Sequence, residues 1–148
     1  MATTRVLSKQ DGTQSASTII TSRTKLYRDI DLSFTAKPNG DLYLKKDAAA
    51  VTQALKNLIQ TNFMEKPFLP NYGANLRAML FELADDDTEE EMAEQIMRTI
   101  SAFEPRAKVV GLDVTANQDQ NSVSVTIDYQ VVNTDEVISF TTSISRLR

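Results

Sequence analysis

Residues 122 to 131 read Ser-Val-Ser-Val-Thr-Ile-Asp-Tyr-Gln-Val, an unbroken alternation of small or polar residues with apolar ones. Successive side chains of an extended chain point to opposite faces. A period of two therefore gathers Val123, Val125, Ile127, Tyr129 and Val131 on one face and their polar neighbours on the other. One wet face and one dry face is the mark of an antiparallel strand. The same period lies on either side. Val110, Leu112, Val114 and Ala116 alternate before this stretch, and Ile138, Phe140, Thr142 and Ile144 after it. Asn133, Thr134 and Asp135 supply turn chemistry between the last two runs. The C-terminal third thus reads as a three-stranded antiparallel meander.

Upstream of Pro105 the period changes to that of a helix. Val51, Ala54, Leu55, Leu58 and Ile59 fall at i, i+3, i+4, i+7 and i+8, the stripe of one buried helical face, with Asp47 as its N-cap. Each large member contributes about 1.5–3 kcal/mol on burial, so this face anchors the core. A second stripe runs through Leu76, Met79, Leu80 and Leu83. A third runs through Met92, Ile96, Ile100 and Phe103, opened by Thr88 and Glu91 in the spacing of a capping box. Between the first two, Pro67 and Pro70 bracket a stretch that no helix can cross. In it Pro67, Phe68, Pro70, Tyr72 and Gly73 read as a rigid loop whose aromatics cap the core and whose glycine permits a bend.

Towards the N-terminus, Ile30, Leu32 and Phe34 alternate with Asp29, Asp31, Ser33 and Thr35 as a strand. Pro38, Asn39 and Gly40 make a turn, and Leu42, Tyr43 and Leu44 pair back as a short hairpin. Residues 1–24 are rich in Ser and Thr and read as an arm, either loose or ordered along a neighbouring chain. The expected fold is therefore α+β: an N-terminal arm and short hairpin, then about three helices packed on the meander, with residues 25–148 as one domain.

Composition narrows the function. The 148 residues include no Cys and no His, which removes disulfides, thiolate nucleophiles, the commonest metal ligands and the Ser-His-Asp arrangement. No metal or cofactor is expected. Any enzyme would have to run on carboxylates, Lys, Tyr or Ser. Seven of the 20 acids lie between residues 85 and 94, leaving 13 acids against 16 bases elsewhere, so a mildly basic body carries one acidic run. That run suits a helix start in solvent, where the dipole favours negative charge, with a docking patch for a basic partner as the alternative, and it argues against nucleic acid as the main partner. No stretch approaches the roughly 20 apolar residues of a membrane span, and MATTRVLSKQ lacks the apolar block of a secretory signal, so a soluble protein made in a cytoplasm is expected.

Three local patterns remain. They are Asp29-Ile30-Asp31-Leu32-Ser33-Phe34; Glu65-Lys66-Pro67-Phe68-Leu69-Pro70-Asn71-Tyr72-Gly73 followed by Leu76 and Leu80-Phe81-Glu82; and Phe103-Glu104-Pro105-Arg106-Ala107-Lys108-Val109. In this order and spacing, over about residues 26 to 146, the chain resembles the baseplate wedge and sheath-initiator family of contractile tails. That family is shared by T-even-type phages and type VI secretion baseplates. The resemblance implies a structural protein of the virion tail baseplate, assembled in the host cytoplasm. It also implies docking onto other wedge proteins through Glu104, Pro105 and Arg106, and a sheet edge that templates the tail sheath by strand addition. In this sequence that edge lies in residues 136 to 146 and holds Ile138, Phe140, Thr142 and Ile144. Tube or hub proteins are further implied partners; nucleic acid, membrane and small-molecule substrates are not.

Read from the residues alone, Glu104 and Arg106 could equally form an internal pair at the corner where a helix gives way to a strand. Two rivals stand beside the assembly reading. A lysozyme-like glycoside hydrolase would use Glu82 or Glu104 as acid and Asp113 as partner, because a carboxylate pair runs that chemistry without His. A generic assembly adaptor would form defined particles alone.

Overall fold

The computed structural model describes residues 27–80, 86–117, 120–132, 134 and 136–145. The expected arm lies outside the described residues, as do Phe81, Glu82, Leu83, Asn133, Asp135 and Arg146 to Arg148.

The meander is present as expected. Strand β3 (Ala107–Asn117) pairs antiparallel with β4 (Ser122–Val131), which pairs antiparallel with β5 (Val137–Ser145), so β4 is central and β3 and β5 are the outer strands. Val123, Val125, Ile127, Tyr129 and Val131 are all buried. The first strand departs from the expected phase. A bulge between Val109 and Gly111 turns Val109 inward and leaves Val110 60% exposed. One extra residue in a strand reverses the facing of those beside it.

Helix α1 (Asp47–Gln60) buries Val51, Leu55, Leu58 and Ile59 against the sheet. Asp47 is its first residue and not its cap. Its carboxylate and amide both turn back to Tyr27, accepting from the Tyr27 N–H at 3.2 Å and donating to the Tyr27 carbonyl at 2.8 Å. Helix α2 is a single turn (Leu76–Met79), and helix α3 (Asp86–Phe103) begins two residues before Thr88, which places the proposed capping box inside it. Met92, Ile96 and Ile100 of α3 join α1 and the inner sheet face in one core. At its centre Tyr129 shares a 2.7 Å hydrogen bond with the Thr52 hydroxyl and donates to the Ala48 carbonyl at 3.1 Å.

The N-terminal hairpin is shorter than its alternation predicts. Strand β1 (Arg28–Ile30) pairs with β2 (Leu44–Lys46), and a lone bridge joins Ala36 to Leu42. The strand stops at Asp31, whose carboxylate accepts from the Ser33 N–H at 3.0 Å while its carbonyl accepts from Phe34 at 3.1 Å. A local turn of this kind competes directly with a ladder. Leu32 and Phe34 are left facing outward, and Phe34 takes a positive φ of 52°. Gln53 of α1 holds the turn, donating to the Ile30 carbonyl at 2.8 Å and accepting from the Leu32 N–H at 3.4 Å.

Candidate functional site

Helix α3 ends at Phe103 because Pro105 cannot extend it, and the chain turns at once into β3. At this corner Glu104 and Arg106 bind each other. Arg106 Nε meets Glu104 Oε1 at 2.6 Å and Nη2 meets Oε2 at 2.6 Å, a two-point geometry that fixes both planes. Glu104 is 6% exposed, whereas the Arg106 side chain is 30% exposed. The pair raises the Arg106 pKa, chiefly through this hydrogen bonding. The guanidinium also lies 5.4 Å from the centre of the Tyr27 ring. Burial, and then the Glu104 charge, push the Tyr72 phenol upward, and Tyr72 packs edge-to-face on Phe103 at 5.1 Å. Glu104 is thus turned inward, while Pro105 and part of Arg106 form the outward surface of a stiff corner. The Arg106 carbonyl accepts from the Val132 N–H at 2.9 Å, which ties the corner to the end of β4 where the chain turns towards β5.

The two outer edges of the meander differ. On β3 the bulge interrupts the ladder, and the Ala116 N–H donates to Glu89 Oε1 of α3 at 2.7 Å. One acid of the run thus takes a backbone N–H near the end of β3. On β5 the register with β4 is continuous from Ser122↔Ser145 to Gln130↔Val137, and among the described residues no strand lies beyond it. Ile138, Phe140, Thr142 and Ile144 face the core, so their side chains point away from a visiting strand, and what this edge offers is its backbone. The Thr142 hydroxyl accepts from Gln60 Nε2 at 3.3 Å.

The loop departs from expectation at one aromatic. Tyr72 packs on Phe103, but Phe68 does not cap the core and is 100% exposed. The Leu69 N–H donates to the Lys66 carbonyl at 3.3 Å, closing a turn in which Phe68 takes a φ of +67° and points its ring outward. Gly73 has a φ of +109° and packs against the Thr61 carbonyl.

The hydrolase arrangement fares poorly where it is visible. Both Glu104 oxygens are engaged by Arg106, Asp113 sits exposed on β3, and Glu82 is outside the described residues. Sequence reasoning missed Glu89 and Tyr27. Glu89 is one of several like residues in a run, and nothing local marks its partner 27 positions on.

Several known proteins share this architecture. The chain is 27% identical over 114 residues to the baseplate wedge protein gp25 of Enterobacteria phage T4, covering 76% of this chain and 86% of that protein. Among solved structures, a baseplate chain of the anti-feeding prophage aligns with a TM-score of 0.59 at 18% identity, over 84% of this chain and 88% of its own. A crystal structure of a putative tail lysozyme from Geobacter sulfurreducens aligns with a TM-score of 0.59 at 13% identity, over 66% of this chain and 89% of its own. A chain of the postcontracted pyocin R2 baseplate aligns with a TM-score of 0.52 at 15% identity, over 81% and 99%. Those three share the fold. The family described as baseplate wedge protein gp25 matches residues 45–136, more than half the sequence and the whole run from α1 to the start of β5, and the chain belongs to that family.

Proposed function

We propose that the protein is a non-catalytic building block that docks onto other wedge subunits through the outward surface of Pro105 and Arg106, with Glu104 bracing that corner from inside, and offers the β5 edge to the first strands of the tail sheath. Family membership makes it a baseplate wedge protein of a contractile tail, located in the tail baseplate among other baseplate proteins. The finer reading rests on one observation: of the two outer strands, β3 is bulged and gives its Ala116 N–H to Glu89, whereas β5 is regular, with no strand beyond it among the described residues. A regular free edge supplies main-chain hydrogen bonds to an added strand, and a bulged edge refuses them. The corner complements this. Its internal ion pair leaves little side-chain entropy to lose when a partner closes over Pro105 and Arg106.

The test separates the two surfaces. Arg106→Lys keeps the charge but loses the two-point geometry, and should reduce co-purification with wedge proteins at least tenfold while a folded spectrum persists. Thr141→Lys with Ser143→Lys, both exposed on β5, should spare wedge binding and impair sheath recruitment. Normal assembly by both variants would refute the site assignment. No murein degradation is expected; turnover abolished by Glu104→Gln would establish the hydrolase instead.

A further inference from the structure

We infer that the loop closed between Thr61 and Asn75 is a second docking element, in which Phe68 and Met64 form an apolar knob for an apolar, acid-rimmed cleft on a neighbouring baseplate protein. The inference rests on the baseplate reading above.

Three observations carry it. Phe68 is 100% exposed and Met64 79% exposed, and Leu69, beside Phe68 between Pro67 and Pro70, is about half exposed. Both Phe68 and Met64 hold left-handed backbone, at φ +67° and +69°, a conformation that bulky side chains seldom adopt. Strain of this kind persists where surrounding structure enforces it and tends to mark places where a side chain is presented for use. Here the enforcement is visible. Met64 N–H donates to the Pro70 carbonyl at 2.9 Å, Tyr72 N–H to Leu69 at 3.1 Å, and Asn75 N–H to Thr61 at 3.4 Å, so the loop is closed on itself. A preformed knob loses little freedom on binding.

The charges beside it point to the partner. Between residues 62 and 77 the charged side chains are Glu65, Lys66 and Arg77. The Glu65 oxygens accept from the Asn62 backbone N–H at 2.9 Å and its side-chain amide at 2.7 Å, while the Lys66 ammonium is held 3.8 Å from the centre of the Tyr72 ring. With the carboxylate tied into the loop, the Lys66 cation two residues before Phe68 favours a cleft with acidic margins. Two exposed apolar side chains and one loop cation suit a side-chain cleft on a protein better than a lipid surface.

Phe68→Gly in the full chain tests this directly. Glycine tolerates the left-handed φ, and the ring is fully exposed, so the melting temperature should stay level or rise. Recovery in complex with co-expressed wedge proteins should fall at least tenfold. Met64→Gly and Lys66→Glu should act in the same direction, and Phe68→Leu should restore most of the binding. A fall of several degrees in melting temperature would assign the ring to the fold and overturn the inference. So would undiminished recovery of Phe68→Gly beside good recovery of the wild type, which leaves the baseplate reading intact; failure of the wild type itself overturns both. Benzoylphenylalanine at position 68 should cross-link to a wedge protein, and cross-linking to a second copy or to added phosphatidylglycerol vesicles would refute the assigned occupant.

Discussion

At Gly73 the backbone holds φ +109°, and a Cβ built there collides with the Thr61 carbonyl oxygen. Gly73→Ala should therefore cost about 1–3 kcal/mol from backbone strain alone, read as a lower urea midpoint with unchanged slope. Tyr129→Phe should cost about 1 kcal/mol, because the buried hydroxyl joins Thr52 to the Ala48 carbonyl. Single residues were unevenly legible in the sequence. A glycine after Pro-Phe-x-Pro-x-Tyr announces a bend, since only glycine takes such a φ freely. The pairing of Glu104 with Arg106 was one of two open readings, because spacing of two across a proline does not say whether charges face each other or a partner. Phe68 read as core because it is aromatic; its outward direction depends on the φ imposed by its turn.

Among the elements, the closed loop carries a pH signature. Hydrogen bonds from Asn62 hold the Glu65 carboxyl below its usual range. A carboxyl lowered by folding contributes stability that is present above its unfolded pKa and lost as pH falls through the folded one. The loop should accordingly loosen below about pH 4, seen as faster amide exchange at Asn62 and Met64 while β4 stays protected. Glu89→Ala should leave the Ala116 N–H without its charged acceptor and cost about 1.5–3 kcal/mol in chemical unfolding. Helix α1 and strand β4 were readable because their periods are local and uninterrupted. The N-terminal strand was overread at Leu32 and Phe34: alternation continued, but the Asp31 side chain formed a turn of its own. The bulge before Gly111 left no periodic trace and shifted Val110 to the surface.

At the scale of the molecule, α1, α3 and the inner face of the meander close one core, in which Ile96 is fully buried. Ile96→Ala should cost about 2–5 kcal/mol, measured by denaturant melts, because the facing strands cannot fully collapse into the space. Fold class was legible because a helical middle and an alternating end leave few ways to bury both faces. How each border of the sheet is finished was not, since it depends on a carboxylate reaching across from a helix to the Ala116 N–H. That asymmetry limits what the protein can do alone. On the assignment proposed above, β5 is the receptive border among the described residues, and two molecules set β5 against β5 about a twofold axis would use up that border on both. Kept concentrated and without companions, the chain should pair weakly at most, build no defined particle and give no thioflavin-positive fibrils, because lateral growth ends as soon as that border is taken.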